Sequence, residues 1–325
     1  MEPTSIRKIA AKIVILLIAA CLVSGCSTFS RDRGYRSEVQ SLYSPERQMK
    51  IAAARHAPPE QQTVPNKSVE EYERLGDIAF RQGDLQKAFM LYEKALTVDP
   101  DNVSIVQKKG VTLLAGKQFE EAGRQFEVVI KNDKDNANAY EGFGRCLIHL
   151  GRLSDSEKQL RKAISIDPTL WKAHNYLGNV YDRRQQYEKA VDHYFKAISL
   201  KPESGFLYNN LGVSYFSAGA YRDAVESFTA AIEKGYQNNR VYNNMGQALF
   251  YAGKHRQALE VFKKGEGEAR AYNNLGCLFM KEGNSDKAEY CFRKAVEVSP
   301  TFYATASENL RRVQAEQNGL MQISP

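Results

Sequence analysis

From residue 69 to residue 302 apolar side chains return every three or four positions, the period of helices that bury one face. The pattern also repeats on a longer scale. Glycines stand at 76, 110, 144, 178, 212 and 246, each 34 residues after the last, and Gly276 follows after 30. Three residues beyond each comes an apolar position: Ala79, Leu113, Leu147, Tyr181, Tyr215, Leu249 and Phe279. Twelve beyond it stands Ala88, Ala122, Ala190, Ala224, Ala258 or Ala288, with Ser156 as the exception. Sixteen beyond it is an aromatic or Leu: Tyr92, Phe126, Leu160, Tyr194, Phe228, Phe262 and Phe292. Gly83, Gly151, Gly219, Gly253 and Gly283 fall between two apolar runs, where a tight turn is needed. Pro100, Pro168, Pro202 and Pro300 close four of the units. The pattern predicts two amphipathic helices per unit. A single pair leaves one apolar face open, so neighbouring units must stack.

Seven consecutive copies of this pattern resemble the tetratricopeptide repeat: 69–102, 103–136, 137–170, 171–204, 205–238, 239–268 and 269–302. The resemblance implies an all-α fold, a right-handed solenoid of about seven helix-turn-helix repeats. Residues 303–318 read as a polar capping helix within a closing segment, 303–325. Unit two departs most, with Lys109 and Lys134 at positions usually apolar and Pro. Unit six is four residues short and ends in FKKGEGEAR, so the stacking of units six and seven is expected to be unusual.

In that family the first helix of each unit lines a concave groove, bordered by positions two, five, six, nine, twelve and thirteen. Here the fifth and sixth positions are Asn209-Asn210, Asn243-Asn244 and Asn273-Asn274, and unit four carries Asn175 and, at the ninth position, Asn179. A side-chain amide both donates and accepts, and so matches a peptide backbone whatever its sequence. The row resembles the asparagine ladder of peptide-binding tetratricopeptide superhelices; equally, such residues solvate a polar surface. The twelfth position holds Phe80, Leu114, Ile148, Phe216, Phe250 and Met280, with Asp182 as the exception. These side chains either line the groove, with Phe216, Phe250 and Met280 as anchors for a partner, or pack between units. Lys172, Arg240 and Arg270 give the later units a modest positive edge.

The N-terminus reads as an address. Arg7, Lys8 and Lys12 precede the apolar run IVILLIAACLV at 13–23, which is too short to cross a bilayer. Val23-Ser24-Gly25-Cys26 resembles the bacterial lipobox, so 1–25 is expected to be a signal peptide and Cys26 the lipidated first residue. Several acyl chains on one residue give stable anchoring. By resemblance to lipoproteins of enterobacteria, Ser27 rather than Asp at the second mature position implies the periplasmic face of the outer membrane. The polar stretch 26–68, with Pro45, Pro58, Pro59 and Pro65, reads as a flexible tether.

Composition narrows the function. A formal charge of +7 over 325 residues, with no Lys/Arg-rich run, gives no electrostatic footprint for nucleic acid. The five Cys and five His show no CxxC or His-x-x-x-His spacing, and no phosphate loop or nucleophile elbow is present. Cys277 and Cys291 lie on the two helices of one unit, where they either pair in an oxidising compartment or serve as small hydrophobes. No cofactor, no metal, no small-molecule substrate and no enzymatic activity are expected. The expected role is a lipid-anchored envelope adaptor that binds a protein or peptide in its groove. Lipobox plus tandem repeats resembles pilotin-like lipoproteins of type IV and tight-adherence pilus systems, which assist secretin assembly. Alternatives are a scaffold for cell-wall hydrolases and proteases, and an accessory subunit of a polysaccharide synthesis or export complex.

Overall fold

The computed structural model describes residues 67–299, 301 and 303–319. The signal peptide, Cys26 and all but the last two residues of the tether lie outside the described residues. Helix pairs follow one another along the chain: α1 (Val69–Arg81) with α2 (Leu85–Val98), α3 (Val103–Ala115) with α4 (Phe119–Asn132), α5 (Ala137–His149) with α6 (Leu153–Ile166), and α7 (Trp171–Arg183) with α8 (Tyr187–Leu200). α9 (Gly205–Ser217) pairs with α10 (Tyr221–Glu233), α11 (Asn239–Tyr251) with α12 (His255–Glu266), and α13 (Glu268–Lys281) with α14 (Ser285–Glu297). α15 (Ala304–Gln317) closes the stack on α14. No strand occurs among the described residues.

Local chemistry starts and stops these helices. Side chains of Ser68, Asp84, Asn102, Asn136, Asn238 and Asn284 each accept a backbone N–H three residues on, covering donors that the first turn leaves open. At the end of α1 the N–H of Gly83 donates to Phe80 and that of Asp84 to Ala79, both at 3.0 Å. This is a Schellman closure, with Gly83 at φ 80°. The same turn recurs at Gly151, Gly219, Gly253 and Gly283, and also at Lys117 and Gln185, whose φ values of 62° and 59° lie in the left-handed region. Units two and four thus make the turn without glycine.

Within six of the seven pairs a glycine of the first helix faces a ring of the second, and in the third pair Gly144 faces Leu160. A Cβ on Gly178 would stand 2.6 Å from the ring of Tyr194, and one on Gly276 2.7 Å from that of Phe292. The six alanines twelve residues beyond the unit glycines are fully buried, and so is Ser156, whose hydroxyl donates to the Gly144 carbonyl at 2.8 Å. That bond supplies the partner a buried hydroxyl requires. The core runs from unit to unit in overlapping apolar clusters rather than gathering at one centre. First helices of successive units touch directly, as α3 with α5, α5 with α7, α9 with α11 and α11 with α13. No successive second helices pack to that extent, so the first helices line the inside of the curve.

The candidate protein-binding groove

The fifth, sixth and ninth positions of the first helices share one face, because residues one turn apart on a helix are neighbours. The asparagines on this face bond mainly to the protein itself. Asn210 Nδ2 donates to Asn175 Oδ1 at 2.8 Å, tying α9 to α7. Asn209 Nδ2 lies 3.4 Å from Asn210 Oδ1. Asn274 Nδ2 lies 3.4 Å from Asn243 Oδ1, tying α13 to α11. Asn309 of α15 donates to Asn273 Oδ1 at 3.0 Å. Asn175, Asn209 and Asn273 are buried, while Asn179, Asn210, Asn243, Asn244 and Asn274 are half-buried. The row therefore joins successive first helices and leaves its half-buried amides facing the groove.

Glu266 enters the same row. It ends the shortened α12, accepts a hydrogen bond from Asn243 and lies 3.4 Å from Asn274 Nδ2. Neither Glu266 nor Asn309 was legible as a groove residue, since their places depend on the shortened unit and on how the cap seats. The signal was there only as the missing four residues.

The twelfth position behaves otherwise. Phe250 is 1% exposed, with its ring edge-on to Phe279 of the next unit at 5.0 Å and 4.7 Å from His255. It seals the stack between units and is no anchor for a partner, which corrects the expectation. Phe216 is half-buried against Tyr221 and Tyr251, and Met280 half-buried against the last core cluster. Asp182, the exception, receives the Tyr194 hydroxyl at 2.7 Å and the Ser214 hydroxyl at 2.6 Å. Burial raises its pKa although both donors oppose the shift. Exposed apolar surface on the groove face comes instead from the ninth position, Val111 and Val213, and from Phe206 at the second.

Charge varies along the groove. At the N-terminal end Lys108 bridges Glu73 at 2.8 Å and Asp77 at 2.7 Å, beside a cavity of about 500 Å³ that Phe80, Gln107 and Val111 help to line. In the middle Glu141 is buried, which raises its pKa, while Lys172 and Arg145 act against that shift. Tyr176, with the Arg145 guanidinium 5.5 Å from its ring, is pushed up to about 12 by burial. α9 carries no charged residue at all. Cys146 and Cys291 are buried and Cys277 exposed, and all three thiols are free, so Cys277 and Cys291 do not pair. Among the described residues no three His, Cys, Asp or Glu side chains cluster in a way that could hold a metal ion.

Three family models, each described as tetratricopeptide repeat, match this chain: one at 171–204 and 269–302, one at 79–141 and 113–174, and one at 209–274. Together they span more than half of it. Among solved structures the chain is similar to PilW, a widely conserved type IV pilus biogenesis factor, with 20% identity, TM-score 0.56 and coverage of 59% of this chain and 90% of that one. It is similar to a tetratricopeptide repeat protein of Parabacteroides merdae, with 18% identity, TM-score 0.53 and coverage of 76% and 98%. It is also similar to PilF of Pseudomonas aeruginosa, with 20% identity, TM-score 0.50 and coverage of 67% and 98%. At these identities the likeness is one of fold. No curated protein matches the chain.

Proposed function

Because the chain belongs to the tetratricopeptide-repeat family, we propose that it is a non-enzymatic adaptor whose groove takes a segment of a protein partner. The observation that carries this reading is the row of half-buried amides on one face of α9 and α11, beside the exposed Val213 and Phe206. Amides read a backbone without regard to sequence, and exposed apolar side chains add anchors for alternate residues of an extended chain.

The adaptor works in the bacterial envelope, held through Cys26 to the periplasmic face of the outer membrane. That placement rests on the lipobox resemblance of Val23-Ser24-Gly25-Cys26. Its task is to assist assembly or localisation of a multiprotein machine, of which a pilus or secretin system is the leading instance. The fold shared with PilF and PilW supports that choice.

The test is affinity capture from the native envelope with the full chain and with an Asn210→Ala, Asn244→Ala double variant, read by mass spectrometry. A secretin or pilus component held by the wild type and lost by the variant is the expected result. The same catch with both would place binding outside the amide row. Cys26→Ser should move the chain from the membrane to the soluble fraction, and a variant that still sediments with membranes would refute the anchor.

A further inference from the structure

Connections between units follow one plan until the sixth. Four residues separate α2 from α3, α4 from α5, α6 from α7 and α8 from α9, and five separate α10 from α11. Between α12 and α13 there is only Gly267, at φ 85°. The preceding turn presses directly on α11: a Cβ on Gly265 would meet Tyr242 Cβ at 2.8 Å. The last side chain of α12 therefore arrives at the level of the first helices.

That side chain is Glu266. Its carboxylate accepts from Asn243 on α11 and faces Asn274 on α13 at 3.4 Å, the two amides that form the rung between these helices. Lys263 of α12 is engaged with Glu260 at 3.4 Å and Glu268 at 3.0 Å, and among the described residues Glu266 forms no ion pair. Asn amides thus supply the donors that hold this charge. A carboxylate is a stronger acceptor than a neutral carbonyl, so a partner's backbone would have to displace a better ligand to reach these amides.

We propose that Glu266 is a stop built into the groove: it fills the rung between α11 and α13, so that a bound segment lies along α7, α9 and α11 and does not run on to α13. This rests on the groove reading given above, and it adds which residue sets the register and length of the occupied stretch. The corresponding rung between α7 and α9 closes directly, Asn210 to Asn175, with no charged side chain between. A neutral segment there competes only with a neutral amide, and α9 itself is uncharged. The chemistry that fits is an extended, uncharged peptide stretch with free backbone groups, its acidic residues kept away from Glu266.

The probe is a random-sequence peptide library displayed on phage, selected on the full chain, on Glu266→Ala and on Glu266→Gln. Selected peptides are then footprinted by backbone hydrogen exchange. On the wild type they should protect α9 and α11 but not α13. On Glu266→Ala protection should extend to α13 and binding should tighten about tenfold, the size expected of one or two regained hydrogen bonds. Glu266→Gln keeps the side-chain length and removes the charge, and should fall between the two; it also serves if the alanine variant loses helix content. Identical footprints on all three chains, or protection of α13 in the wild type, would overturn the stop while leaving the groove reading intact. Failure of every chain to select a groove-bound peptide would overturn the groove reading itself, and the stop with it.

Discussion

A Cβ added at Gly212 would stand 2.7 Å from the ring of Phe228, closer than real side chains come. The ring is fully buried and has nowhere to retreat. Gly212→Ala should therefore cost about 1–3 kcal/mol through overpacking, read as a fall in the urea midpoint at unchanged slope. A second residue-scale feature is the histidine pair. The Nδ1 atoms of His174 and His193 lie 3.2 Å apart, so one must donate and the other accept. His193 also stacks on Tyr181. Burial, then the neighbouring His174, Arg161 and Lys196, lower the His193 pKa from 6.5 to about 4, with Asp192 acting the other way. The unfolded imidazole binds its proton more readily than the folded one. The pair's contribution is thus whole above pH 6.5 and is lost as pH falls from there toward 4. Urea melts of the wild type between pH 7 and 4 should steepen in their pH dependence across that window, and His193→Gln should flatten it.

At the scale of single elements the turns are the informative parts. Glycine marks the left-handed turn residue in five units, and there the sequence spacing pointed to the right place. Lys117 and Gln185 carried no such signal, because a left-handed residue other than glycine is imposed by the helices it joins and is not chosen by its own propensity. Gly116 even offers a misleading glycine one position early. Replacing either residue by glycine should relieve strain and stabilise the protein by about 0.5–1 kcal/mol each, after allowing for the flexibility glycine adds to the unfolded chain. An unchanged urea midpoint in Lys117→Gly and Gln185→Gly would show that these turns hold no strain. The all-α class was readable for a related reason: the unit glycine and the ring sixteen residues later are contact partners, as Gly178 and Tyr194 show, so their common period reports packing. The groove was less readable. Asn209 and Asn210 look alike in sequence, yet one is buried and the other faces the groove, a distinction set by helix rotation within the stack. Phe216 and Phe250 share the twelfth position and each meets a ring of the next unit, Tyr251 and Phe279, yet only Phe250 is buried.

Across the whole array stability passes between neighbours, since each unit touches only those beside it. The cap follows this rule. Ala306 and Val313 of α15 are fully buried, and Asn309 holds Asn273. Deleting residues 303–325 should cost about 2–3 kcal/mol in the last units. Hydrogen exchange should quicken first in α13 and α14 and leave α1 to α4 as slow as before. Equal acceleration along the chain would mean that the stack melts as one body.

The single-residue connection at Gly267 has one more consequence, for how such a chain can grow. Units one to five are cassettes of equal length, and a copied unit four or five would join its neighbours in phase, adding one more rung to the interior. Unit six is a junction piece: copying it would repeat the four-residue slip and bring a second carboxylate inward. Duplication on the N-terminal side of that junction extends the array, whereas duplication across it resets the phase.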